Sequence, residues 1–106
     1  IGENANAYLV ASAIRGGLLA ESCVKTSSPA EAGRYVARIL RQGDVVLVKG
    51  SQNGVFSEEA VSCLLKNSQD RALLVRQSPS WMAKKQKQFP DIVCVKPGFT
   101  HDYTDM

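Results

Sequence analysis

The run Val45-Val46-Leu47-Val48 is the most uniformly apolar stretch of the chain. It has no polar alternation, and Gly43-Asp44 and Lys49-Gly50 bound it. Such a run predicts a strand buried on both faces, as in a parallel sheet covered by helices. Upstream, Ala32, Tyr35, Val36, Ile39 and Leu40 recur at helical spacing. The start of that helix is marked by an S-x-x-E capping box, Ser28 to Glu31, with Pro29 at the first helical position. The pattern predicts a helix from Pro29 to Arg41, with Arg38 and Arg41 in its last turn and Gly43 as its stop. Helix, short loop and buried strand in succession is the order of an α/β domain.

The remaining patterns are weaker. Ile1-Gly2 reads as the end of a strand and the turn after it. A helix is expected from about Asn4, its N-cap, to Arg15, with Ala5, Tyr8, Leu9, Ala13 and Ile14 inward and Gly16-Gly17 as the stop. Leu18 to Lys25 predicts a short strand around Cys23 and Val24. Ser57 is the expected cap of a further helix, with Glu58 and Glu59 as dipole partners in its first turn. Phe56 and Val61 stand at staple positions, Val61, Leu64 and Leu65 face inward, and Lys66-Asn67-Ser68 closes that helix. Asp70 to Val75 reads as one or two helical turns, and Ser78-Pro79 opens a helix to about Phe89 anchored by Trp81, Met82 and Phe89. Ile92 to Val95 reads as an edge strand. Together these predict a Rossmann-like three-layer α/β domain with a mostly parallel sheet over residues 1–96, and a loosely held tail at 97–106. One strong strand and two weak ones make an incomplete sheet with an exposed edge, the C-terminal portion of something larger.

Composition narrows the function classes. A chain of 106 residues holds one small domain, and a net charge of +3 argues for no particular partner. Lys84, Lys85 and Lys87 read as a solvated helix face rather than a nucleic-acid surface. Three cysteines without C-x-x-C spacing read as reduced, cytosolic thiols that fill the core. The lone His101 makes a histidine metal site a poor fit. No apolar run approaches the roughly 18 residues of a membrane helix, so no membrane association is expected and the cytoplasm is the expected location.

No phosphate loop, dinucleotide fingerprint, nucleophile elbow or zinc spacing is present. The concentrated candidate site is Lys49, Gly50 and Ser51, with Gln52 and Asn53 of the following loop. It supplies a cation, close backbone approach and a hydroxyl beyond the end of the predicted strand, where open α/β sheets bind ligands. Taken alone, the segment is better explained as an ordinary polar turn. No catalytic residue and no metal ligand is expected on this chain, and without a phosphate loop it is expected to be inactive by itself.

The string Gly43-Asp44-Val45-Val46-Leu47-Val48-Lys49-Gly50-Ser51 resembles the corresponding segment of the Mur ligase C-terminal domain. The opening Ile1-Gly2-Glu3-Asn4-Ala5 and the run Ser27-Ser28-Pro29-Ala30-Glu31-Ala32 resemble that family's strand-Gly-helix and serine-led helix, so the likeness is strongest over residues 1–65. The family usually has Arg after Lys-Gly-Ser, where Gln52 stands here, and a Met-Arg-Met-Glu continuation where residues 54–58 differ. The resemblance implies the lid-like, substrate-binding portion of an ATP-dependent amide ligase of peptidoglycan-precursor type. It implies ATP and Mg2+, held mainly by a central domain of the same ligase chain. The implied partners are a UDP-linked muramyl peptide and an amino acid or D-Ala-D-Ala dipeptide. A folylpolyglutamate or cyanophycin synthetase relative and a non-enzymatic α/β interaction module are the alternatives.

Overall fold

The computed structural model describes residues 1–50 and 54–92. Its regular elements are all helical. A π-helical segment, Ala5–Leu9, runs into α1 (Val10–Arg15), and a 3-10 turn, Ala20–Ser22, precedes α2 (Pro29–Ile39). Then come α3 (Glu58–Ser62), a second 3-10 turn, Ser68–Leu73, and α4 (Pro79–Gln88). Among the described residues there is no β-strand, so the expected Rossmann-like parallel sheet is overturned. No helix among them is long and apolar enough to cross a membrane.

Val45–Val48 carries the main correction. Val45 is 95% exposed and Leu47 88%, whereas Val46 is 41% exposed and Val48 half-buried. A strand needs a neighbour to accept its N–H groups, and no described segment supplies that ladder. What remains is the segment Val46 to Lys49, bordering a small apolar groove of about 160 Å3 with Ala32, Val36, Ala60 and Leu64.

The helix starts follow the local chemistry. Ser28 takes an extended backbone, and its Oγ accepts from the Glu31 N–H at 3.1 Å with Pro29 in the first turn. The return arm of the box is displaced by one residue, because Glu31 Oε2 accepts from the Ser27 hydroxyl at 2.8 Å. Ser78 repeats the device in α4, accepting from the Trp81 N–H at 3.4 Å. α2 stops at Ile39, two residues short of Arg41, where Leu40 turns extended. Asp44 then closes a tight turn by accepting from the Arg41 N–H at 2.8 Å.

Packing uses the small face of α2. Pro29, Ala30 and Gly33 are buried, whereas Tyr35 and Val36 are half-buried and Ile39 is 57% exposed. The large apolar face has no sheet to cover it. Gly33 sits so close to α3 that an added Cβ would lie 2.7 Å from the Ala60 carbonyl and from Cys63 Sγ. Ala30, Phe56, Ala60, Cys63 and Ile92 form the buried apolar core.

Smaller corrections follow. Leu18 to Lys25 is no strand; it contains the 3-10 turn, and Leu19 is largely exposed. Tyr8 and Leu9, expected inward, are also largely exposed. α3 ends at Ser62 rather than at 66–68, and Ser57 accepts no capping hydrogen bond. Asn67 instead caps the following 3-10 turn, accepting from the Gln69 N–H at 3.0 Å. Cys63 is disulfide-bonded, against the expectation of reduced thiols, and Cys23 is free. Ile92 is buried without being in a strand; Val93 to Val95 and the tail at 97–106 lie outside the described residues.

These burial differences rank three substitutions. Leu47→Ala is expected to change stability by no more than about 0.5 kcal/mol, because that side chain already faces water. Gly33→Ala is expected to cost about 1–3 kcal/mol through overpacking against α3, and Ile92→Ala about 2–5 kcal/mol. Urea unfolding of the three variants checks the order; a Leu47→Ala loss as large as that of Ile92→Ala contradicts it.

Candidate functional site

The most ordered chemistry lies where α3 meets α4. Glu58 and Glu59 open α3, and both are buried, Glu59 completely. Lys85, in the middle of α4, is also 0% exposed. Its three ammonium protons are all used. Lys85 Nζ donates to Glu59 Oε2 at 2.7 Å and to the Arg76 carbonyl at 2.7 Å, and it stands 2.9 Å from Glu58 Oε2. Arg76 donates to both Glu58 oxygens at 3.1 Å, the two-pronged geometry that suits a guanidinium. Glu59 also accepts from Arg71 through Oε1 and from Gln77 at 2.9 Å through Oε2. Phe56 and Trp81 wall the cluster, their rings packed edge to face with centroids 6.1 Å apart, and Lys85 Nζ lies 5.5 Å from the Phe56 centroid.

Two carboxylates are thus held by three cations, with the excess charge led out through Arg71 and Arg76, whose side chains are 28% and 26% exposed. Phe56 and Arg76 are also the non-glycine residues with positive φ among those described, at 52° and 56°. Bulky side chains avoid that region unless their surroundings hold them there. Burial pushes the Glu58 carboxyl up. Hydrogen bonds from Arg76 and Lys85, a backbone bond and the Lys85 charge pull it down further, so it rests below the ordinary glutamate value of 4.5.

The cluster also fixes one wall of a cleft. α4 is pinned at Lys85, and one turn later Gln88 Nε2 donates to the Gly54 carbonyl. Gly54, Val55, Gln88 and Phe89 line one side of a cleft of about 640 Å3. Ile1, Gly2, Glu3, Asn4 and Ala5 line the other, and Lys49 and Gly50 also line the cleft. The opening segment is held there by the Gly2 N–H, which donates to the Thr26 carbonyl at 2.9 Å, and by Asn6 Nδ2, which donates to the same carbonyl at 3.0 Å. Gly50 must be small, since a Cβ would lie 2.8 Å from Ser57 Oγ and 3.3 Å from Val55 Cγ1.

Of the residues expected at the site, the structure places Lys49 and Gly50 at the cleft; Ser51, Gln52 and Asn53 lie outside the described residues. The lysines of α4 divide. Lys84 is exposed and its Nζ stands 4.9 Å from the Trp81 ring centroid, Lys87 is exposed, and Lys85 is the buried member. The reading of all three as a solvated face is corrected at Lys85. Glu58 and Glu59 stand in the first turn of α3 as expected, and both also pair with Lys85. The available signal was position: Lys85 stands four residues after Trp81 and four before Phe89, on one helical face. Among the described residues no group of three or more His, Cys, Asp and Glu side chains is placed to hold a metal ion. Comparison of the chain with known protein families, curated proteins and solved structures finds no match.

The cluster generates two expectations. Lys85→Ala leaves buried carboxylates short of a cation and is expected to cost about 3–5 kcal/mol in urea unfolding. Glu58 has a lower pKa folded than unfolded, so the folded chain binds fewer protons there. Its contribution is fully present above the ordinary glutamate range and is lost as pH falls through the lower folded value. Stability should therefore fall as the solution is acidified below about 4.5, and Glu58→Gln should flatten part of that decline. An unchanged acid limb in Glu58→Gln contradicts the assignment.

Proposed function

We propose that this chain is the substrate-binding, lid-like portion of an ATP-dependent amide ligase of peptidoglycan-precursor type. The observation that carries the reading is a convergence. Of the three segments whose sequences resemble the Mur ligase C-terminal domain, Ile1 to Ala5 and the Lys49-Gly50 end of 43–51, which are 44 or more residues apart, line one cleft. The reading rests on these residues and their placement, not on a sheet. The cleft is of a size that suits a small ligand. Lys49 supplies a cation for a carboxylate, and the neighbouring Gly50 lines the same cleft. In this reading the incoming amino acid or dipeptide sits in the cleft and the chain closes over an acyl phosphate, excluding water that hydrolyses it. The ligase that adds D-alanyl-D-alanine to UDP-N-acetylmuramoyl-tripeptide is the type the residues suit best, acting in the cytoplasm. ATP and magnesium belong to the central part of such a ligase, and the described residues of this chain offer no magnesium site. A non-enzymatic interaction module is the second reading, and the exposure of Val45 and Leu47 is what favours it.

Titrating the chain with D-alanyl-D-alanine while following backbone amide resonances separates the two. The ligase reading expects saturable shifts at Gly2 to Asn4 and at Lys49-Gly50. It expects Lys49→Ala to weaken binding about ten- to a hundredfold, the loss of one charge-assisted contact, with unfolding unchanged. No saturable response, or equal affinity in Lys49→Ala, counts against it.

A further inference from the structure

The cleft is bordered by the Lys49 ammonium and the Glu3 carboxylate, which are not paired with each other, and by Ile1, whose α-ammonium is not paired with Glu3 either. Lys49 and Glu3 both line it and both are exposed. Among the described residues neither takes part in an ion pair. Several other carboxylates among the described residues are engaged internally. Glu58 and Glu59 hold Lys85 and the two arginines, Asp91 accepts from Ser28 Oγ at 2.7 Å and pairs with Arg34 at 3.3 Å, and Asp44 closes its own turn. Glu3 has no such engagement, although it belongs to a segment anchored by the Gly2 hydrogen bond to Thr26.

Opposite charges on one cleft select against ligands of a single sign. A dianion meets repulsion from Glu3, and a cation meets repulsion from Lys49. A molecule with a free ammonium at one end and a free carboxylate at the other satisfies both. A cleft of about 640 Å3 has room for more than one amino-acid residue. We infer that Glu3 is a specificity-determining residue that holds the ammonium of a zwitterionic amino acid or short peptide whose carboxylate lies on Lys49. The inference rests on the cleft being the site of the incoming amine, and it adds the group that orients that amine. Asn4, next to Glu3 on the same wall, offers a neutral amide able to donate or accept and imposes no charge preference.

The test uses the full 106-residue chain at low ionic strength and three probes: D-alanyl-D-alanine, its N-acetyl derivative and its C-terminal amide. Binding is followed by amide resonances at Gly2 to Asn4 and Lys49-Gly50. The wild-type chain is expected to prefer the unmodified dipeptide over each derivative by about tenfold or more, the loss of one charge-assisted contact. Glu3→Gln should erase the discrimination against the N-acetyl form and keep that against the amide. Lys49→Ala should do the reverse. If the wild-type chain binds the unmodified and N-acetyl forms equally, or Glu3→Gln still discriminates between them, the role of Glu3 is overturned while the cleft remains a dipeptide site. If none of the three probes binds, the cleft reading and the role of Glu3 fall together.

Discussion

Lys85 is buried between two carboxylates, and the arrangement of α3, α4 and the segment joining them depends on that fact. An ammonium group without water is tolerated only when each of its protons has an acceptor. Here the acceptors come from Glu58, Glu59 and the Arg76 carbonyl. That requirement ties the start of α3 to the middle of α4 and holds Arg76 in a backbone region its side chain disfavours. Apolar burial alone does not account for this part of the fold, since the core beside it is small: Ala30, Phe56, Ala60, Cys63 and Ile92.

The cleft inherits its shape from this arrangement. Gln88 follows Lys85 by one turn of α4 and reaches the Gly54 carbonyl, bringing residues 54–55 to the cleft wall. Across the cleft, the opening segment is hung on Thr26, just before the Ser28 cap of α2. α2 is pressed on α3 through Gly33, where no side chain intervenes. A chain of close contacts thus links the two cleft walls: Thr26 to α2, α2 to α3, and α3 through the ion pairs to α4. Lys49 and Gly50 line the same cleft, Gly50 packed closely against Ser57 and Val55.

What the sequence made legible was local. The starts of α2 and α4 were readable because a serine, a proline and the next turn are enough to form a cap. The Val45–Val48 strand was misread because a strand is a property of a pair of segments, and an apolar run says nothing about whether its partner is there. Lys85 was misread because lysine composition points to solvent, while its register with Trp81 and Phe89 points inward; the register prevailed because two glutamates lie opposite. At the site, Lys49 and Gly50 stood out as a concentrated motif. Gln88, Val55 and Glu3 did not, because only the folded chain brings them to the same cleft.

In the proposed function, Lys49 and the opening segment line one binding site for an amine-bearing acid. A crystal structure of the chain with D-alanyl-D-alanine tests it most directly. The dipeptide is expected in the cleft, its carboxylate within about 3 Å of Lys49 Nζ and its ammonium turned toward Glu3. A dipeptide seated elsewhere, or bound in the cleft with its carboxylate turned away from Lys49, would contradict it.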